Sequence, residues 1–351
     1  MKIGIICHDA HPISEPFMGG LEMITFLLVT ELVKRGHEVT SLCKQGSAIP
    51  GKKVYYRNTG TYESSDYNEL QNLAITTADL NMFFQHDFDV IQNHSLHYQS
   101  IILGNITATP FITTFHTPVF PYLELGIKAV REHKNQTFIG VSESLSKLYE
   151  KELQKVDTIY NGIDVNKWEA NFGEVQNYYA WCGRICKEKG VVQVIKLCIE
   201  NKINLHIAGP VSHKGYYKDE VVPLLNSPYI TYVGHLNQYE LNQHIKFSKG
   251  FIFSSVWEEP YGLVLAEALA CGVPVLANDV GAVREILTEQ SGYIYTIEKP
   301  ETFAAGLQVI SKLSREACRE RAESFCDYVT MVSHYENLYY SVAGRTIKTT
   351  A

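Results

Sequence analysis

The stretch WEEPYGLVLAEALACGVPV, Trp257 to Val275, decides the fold. From Gly262 to Cys271 nearly every residue is apolar, which reads as a helix buried on all sides. Apolar runs that read as strands flank it, GFIFSS before and VPVLAN after, so the unit is strand, helix, strand, the repeat of a parallel sheet covered by helices. Glu267 sits in the middle of this helix. A buried carboxylate is expensive unless something hydrogen-bonds to it, so the residue asks for a partner.

The same alternation runs outward in both directions. Toward the C-terminus it continues through GYIYT, after which the chain from about Pro300 to Val342 reads as helical throughout. Toward the N-terminus strands are expected at YYAWCG, INLHIAGP and YITYVG. A polar segment without period, VNKWEANFGEVQN, precedes them and follows NGID, Asn161 to Asp164. Before it, KIGIICH, HEVTSLC, KVYYRN, DVIQNH, PFITTFHT, TFIGVS and DTIYNG read as seven more strands. The clearest helices between them are Leu21 to Arg35 and Glu143 to Leu153, the latter capped by Ser142. Two domains joined near residue 165 follow, as 351 residues exceed what one core usually serves.

Composition narrows the function. The chain is 45% hydrophobic and 20% charged, the balance of a globular protein, and its net charge of -7 gives no reason to expect nucleic acid as a partner. No run approaches a membrane span and no signal-peptide layout opens the chain, so a cytoplasmic protein is expected. Its eight cysteines are scattered without a C-x-x-C pair and read as free, buried thiols.

Doubly wound domains bind ligands beyond the carboxyl ends of their strands, so functional residues are sought there. After YYAWCG the chain reads RICKEKG, which sets Arg184 and Lys189 beside the start of a helix near Gly190, an arrangement suited to a diphosphate. After GFIFSS come Glu258, Glu259 and Pro260, then Gly262 at the helix start, where the N–H groups of Tyr261, Gly262, Leu263 and Val264 favour oxyanions or sugar hydroxyls. Glu267 lies roughly 12 Å from Glu259 on helical rise, so the two carboxylates are placed to grip two ends of one ligand. A ribose diol would satisfy Glu267 with two donors at once; the competing reading pairs it inside the protein with an arginine or a backbone N–H. In the first domain, Gly19 and Gly20 directly precede the first long helix, without the G-x-G-x-x-G fingerprint of nicotinamide or flavin enzymes. His116 ends the strand PFITTFHT, where it is placed to bond a sugar hydroxyl or carry a proton. The D-x-D of Asp87 to Asp89 precedes its strand and is expected at the sheet's amino end, away from ligands.

Together these segments resemble the retaining glycosyltransferases of family 4, which have the GT-B architecture of two facing Rossmann-like domains. The resemblance rests on the E-x7-E motif EPYGLVLAE, Glu259 to Glu267, on GRICKEKG from Gly183, and on GG, FHTP, VSES, NGID and ACGVPV in order. It implies an acceptor-side domain over 1–165, a nucleotide-sugar domain over 166–326, and a C-terminal helix, 327–351, that packs back on the first domain. It further implies that Gly183, Arg184 and Lys189 bind the donor diphosphate without a metal or other cofactor, that Glu267 holds the ribose, and that Glu259 with the following N–H groups contacts the donor sugar. Gly19 and Gly20 would lie against phosphates and acceptor, His116 near the reacting end of the donor, and Gly234, His235 and Leu236 around the base.

The expected activity is transfer of a sugar from a nucleotide-diphosphate sugar, UDP favoured over GDP, to a carbohydrate, glycolipid or small-molecule acceptor. The alternatives are a nucleotide-sugar epimerase of the same fold and a non-catalytic binding protein. Tyr122 to Lys134, with Lys128, Arg131 and Lys134, reads as a surface helix, with peripheral membrane docking as the competing reading.

Overall fold

The computed structural model describes residues 1–57, 66–130 and 136–346. Two compact units form: one contains residues 1–161 and the segment from Tyr328 onward, the other Gly162–Asp327.

In the first unit the elements run β1 (Lys2–Ile6), α1 (Gly20–Lys34), β2 (Glu38–Cys43), β3 (Lys52–Tyr55), α2 (Asp66–Phe83), β4 (Val90–Asn93), α3 (Tyr98–Gly104), β5 (Phe111–Phe115), α4 (Pro121–Ala129), β6 (Gln136–Gly140), α5 (Glu143–Tyr149) and β7 (Asp157–Thr158). All strand pairs are parallel, in the order β3-β2-β1-β4-β5-β6-β7. Ile24, Leu27, Leu28 and Leu32 recur at helical spacing along α1 and are buried, which lays that helix on the sheet. The helix expected over Glu143 to Leu153 ends at Tyr149, and Ser142 caps it by accepting from the Leu145 N–H.

The second unit contains β8 (Tyr179–Cys182), α6 (Val191–Glu200), β9 (Leu205–Ala208), α7 (Lys214–Tyr216), β10 (Ile230–Gly234), α8 (Gln238–Lys246), β11 (Phe251–Phe253), α9 (Leu263–Ala270), β12 (Val275–Asn278), α10 (Val283–Ile286), β13 (Gly292–Tyr295), α11 (Pro300–Ile310) and α12 (Arg315–Phe325). Its sheet is again all parallel, in the order β10-β9-β8-β11-β12-β13. Trp181, Val194, Ile195, Ile207 and Ile252 centre its core. The aperiodic segment after NGID is not loose: Arg319 donates to the Trp168 carbonyl and Arg315 to that of Asn171, which tie it to α12.

The last helix, α13 (Tyr328–Val342), belongs to the first unit. Its Glu336 accepts from Arg35 at 2.7 Å and contacts His37 at 2.8 Å, while Tyr335 and Tyr339 reach Thr114 and Gln92 at 3.0 and 3.2 Å. A buried tyrosine hydroxyl needs a partner, and these polar sheet residues supply it. Both of these architectures are Rossmann-like, as expected from the alternation of strands and helices.

Candidate active site

In each sheet the chain first goes one way from a central strand and then the other. The reversal falls between β8 and β11 in the second unit and between β1 and β4 in the first. At such a switch point the two departing loops diverge and leave a crevice at the carboxyl ends of the strands.

The loops after β8 and β11 are laced together. The Ser254 hydroxyl donates to the Lys189 carbonyl at 2.8 Å, the Ser255 hydroxyl to the Glu188 carbonyl at 3.1 Å, and the Val256 N–H to that same carbonyl at 2.9 Å. This brings Lys189 Nζ to 2.7 Å from both oxygens of Glu259. Trp257 Nε1 donates to Glu259 Oε2 at 2.6 Å, and the Ser255 hydroxyl, whose one proton is shared with the Glu188 carbonyl, lies 3.1 Å from the same oxygen. The carboxylate is therefore fixed in place by protein donors. Gly281 packs directly against the Glu259 backbone, with φ +53° and an added Cβ only 2.1 Å from the Glu259 carbonyl oxygen. Gly281→Ala is expected to destabilise the protein by about 3 kcal/mol and to displace Glu259, read as a lowered melting temperature with lost activity; an unchanged melting temperature would contradict it.

Arg184 is exposed and, among the described residues, makes no ion pair. Glu267 lies on α9, whose N-cap Gly262 is left-handed with φ +86° and brings no capping side chain, so the leading amides of Leu263 and Val264 stay outside the helical ladder. The Glu267 carboxyl has no hydrogen-bond partner among the described residues, and its surroundings push its pKa up to about 7 by burial. Internal pairing is thus not what holds it. The Cys182 thiol at the end of β8 is raised first by burial, then by Glu267, and is lowered by Lys189, so both charged groups act on that one strand end. Gly234 ends β10 with φ +86°, followed by exposed His235 and half-buried Leu236; Tyr261 is buried. The second unit thus carries Gly183, Arg184, Lys189, Glu259, Glu267 and the β10 loop on the carboxyl ends of one sheet.

In the first unit Gly19 is the extended N-cap of α1, and Gly20 begins that helix. His116 follows β5, and its Nε2 lies 2.9 Å from Nδ1 of buried His94, one nitrogen donating and the other accepting. Burial, then His94 and His8, pushes His116 well below the ordinary imidazole range; burial brings His94 down to about 3. Both rings are neutral at pH 7. Sequence reasoning missed His94, His8 and Asp9, although each follows directly on β4 or β1, the position the strand-end rule selects. It also missed Trp257 and Ser255 as the clamp on Glu259.

Asp87 and Asp89 lie at the sheet's amino end, as expected, where Asp87 bonds Lys2 and Asp89 accepts from the Lys2 N–H and from Arg345. All eight cysteines are free. Among the described residues no group of three or more His, Cys, Asp or Glu side chains is placed to hold a metal ion, and no helix is long and apolar enough to cross a membrane. Arg131 and Lys134 of the basic helix lie outside the described residues, and Lys128 is paired with Glu124 at 2.5 Å.

Comparison with known proteins accounts for both halves. The family model of glycosyl transferases group 1 matches residues 163–325, and that of glycosyltransferase family 4 matches residues 18–167. Phosphatidyl-myo-inositol mannosyltransferase of Mycobacterium tuberculosis is 24% identical, with 99% of each chain covered. Sucrose-phosphate synthase from Thermosynechococcus elongatus superposes with a TM-score of 0.78 at 16% identity, over 98% of this chain and 99% of that one. The Anabaena protein HepE, solved in complex with UDP and glucose, does so at 0.73 and 17%, over 97% and 100%. The protein is an enzyme, a glycosyltransferase of GT-B fold. More particularly, its second half is similar to the group 1 glycosyl transferases and its first half to glycosyltransferase family 4.

Proposed function

We propose that the protein is a retaining glycosyltransferase that takes a sugar from a nucleotide-diphosphate sugar, UDP before GDP, and passes it to a carbohydrate, glycolipid or small-molecule acceptor without a metal. The observation that carries this reading is Glu267, a carboxyl with no protein partner beside the anion-favouring loops after β8 and β11. A ribose diol supplies the two donors it lacks. HepE, which is similar in fold, binds UDP and glucose, and this supports uridine here.

In the proposed reaction the bond between the sugar's anomeric carbon and the diphosphate breaks, and its electron pair leaves with the nucleotide. Arg184 and the N–H of Lys189 not engaged by Glu259 neutralise that developing charge, as do the leading amides of α9. The acceptor hydroxyl attacks from the same face, and its proton passes to the departing phosphate oxygen. Glu259, held by Lys189 and Trp257, keeps acceptor capacity to position the donor sugar, and its neutralised charge makes it a poor nucleophile. His116, neutral, offers a hydrogen bond near the reacting carbon. Gly19 and Gly20 allow backbone to approach phosphate and acceptor, and the backbone of Gly234, His235 and Leu236 meets the base. The proposed compartment is the cytoplasm, where eight unpaired thiols remain reduced.

A thermal-shift series with UDP and GDP in excess EDTA tests the donor half. UDP is expected to raise the melting temperature more than GDP, with EDTA making no difference. No shift with either nucleotide, or a shift that EDTA abolishes, would reject this account.

A further inference from the structure

A cavity of about 230 Å³ opens at the switch point of the first sheet, in the crevice between the loops after β1 and β4. Its polar wall comes from His8 and Asp9 in the loop after β1, His97 in the loop after β4, and Gln99 in the first turn of α3. Leu96, Tyr98, Phe120 and Tyr122 make the opposite, apolar character of the site.

The polar wall is incomplete. His97 Nε2 lies 3.0 Å from Asp9 Oδ1, an ion-pair distance, yet makes no hydrogen bond among the described residues. Gln99 is 5% exposed, and among the described residues neither its amide oxygen nor its amide nitrogen has a hydrogen-bond partner. The other buried glutamines of this unit are bonded at both ends: Gln92 to Thr114 and Tyr339, Gln136 to Thr113 and the Ile101 carbonyl. A buried amide left unpaired destabilises the protein by about 1–3 kcal/mol, so Gln99 offers two hydrogen-bonding groups that a ligand in the cavity can satisfy. A pair of neighbouring hydroxyls, one accepting from the amide nitrogen and one donating to the amide oxygen, does so. The Asp9 carboxylate disfavours an anion in the same cavity.

The apolar side extends outward. Tyr122 is 46% exposed at the cavity, and Leu125, three residues on along α4, is 56% exposed on the same helix face. We infer that this cavity takes the acceptor, that the acceptor is a neutral hydroxylated ring carrying an apolar tail, and that Gln99 selects it by binding two adjacent hydroxyls while the tail lies along Tyr122 and Leu125. This rests on the reading of the second unit as the donor site.

Hexyl β-glucoside, below its micellar concentration, and methyl β-glucoside serve as probes, with binding followed by calorimetry. The wild type is expected to bind the hexyl compound at least tenfold more tightly than the methyl one. Gln99→Leu is expected to lose at least tenfold in hexyl glucoside affinity, to keep its UDP affinity, and to melt at a higher temperature than wild type when unliganded. The last readout separates a ligand-binding amide from a structural one, whose loss would lower the melting temperature. A lower melting temperature, equal affinity for the two glucosides, no binding of either by the wild type, or undiminished hexyl binding by Gln99→Leu would overturn the proposal. A crystal soaked with hexyl glucoside should show it against Gln99; density elsewhere would also overturn it. Binding of UDP without either glucoside rejects this inference alone, whereas binding of hexyl glucoside without UDP rejects the donor reading alone.

Discussion

Arg184→Ala is expected to lower kcat/KM for sugar transfer by about 100- to 1,000-fold and to leave the melting temperature where it was. The side chain is exposed and makes no ion pair among the described residues, so its removal strands no partner. Its whole contribution is then charge offered to a ligand. Lys189→Ala is expected to behave differently. Its side chain is only 18% exposed and its ammonium is engaged by both oxygens of Glu259, whose side chain is itself 15% exposed. Removing the lysine leaves that carboxylate with Trp257 and Ser255 alone, so transfer should fall by a comparable factor and the melting temperature should fall with it, by an amount on the order of 3 kcal/mol in unfolding free energy. Because Glu259 already balances the Lys189 charge, Arg184 should carry the larger part of phosphate neutralisation, and UDP affinity should fall more in Arg184→Ala than in Lys189→Ala. Steady-state kinetics and calorimetry on the two variants check this. Wild-type turnover in Arg184→Ala, or a larger loss of UDP affinity in the lysine variant, would count against the assignment.

The difference between these two cations marks where sequence reasoning stopped. Parallel strands buried on both faces leave continuous apolar runs, so KIGIICH, DVIQNH and VPVLAN could be read directly as β1, β4 and β12. Strand ends then located Arg184, Lys189, Glu259 and Glu267, because chain order alone puts them after β8 and β11. What spacing does not encode is how two loops far apart in sequence meet. Lys189 and Glu259 are 70 residues apart, and their pairing depends on Ser254 and Ser255 donating to backbone carbonyls of the other loop. Gly281 beneath Glu259 was likewise invisible, since its role comes from a close backbone approach and not from a side chain. Glu267 was the opposite case: its misfit in an apolar helix was legible, and the absence of a partner required coordinates. The His94–His116 pair joins the ends of adjacent strands, β4 and β5, a contact that follows from sheet order and hence only from topology.

Glu267 should also make the stability of the protein fall as pH rises through neutrality. Its carboxyl titrates near 7 in the folded chain against an ordinary value of 4.5, because burial opposes the charged form. Below pH 4.5 the group is protonated in both folded and unfolded chains, and its stabilising effect is fully present. As pH rises the unfolded chain ionises first, the folded one only near 7, and roughly 3 kcal/mol of stability is lost across that window. Glu267→Gln cannot ionise. It should therefore match wild type near pH 4.5 and exceed it by several degrees in melting temperature at pH 8. A ribose reverses the preference, since its two hydroxyls donate to the carboxylate and favour the charged form. UDP should then release a proton on binding, bind wild type more tightly at pH 8 than at pH 6, and bind Glu267→Gln weakly at both. Melting curves and calorimetry in buffers of different ionisation enthalpy read all three quantities. A stability difference between the two proteins that stays constant from pH 4.5 to 8 would show that Glu267 is not held in an environment that resists its charge, and a pH-independent UDP affinity would remove it from the ribose.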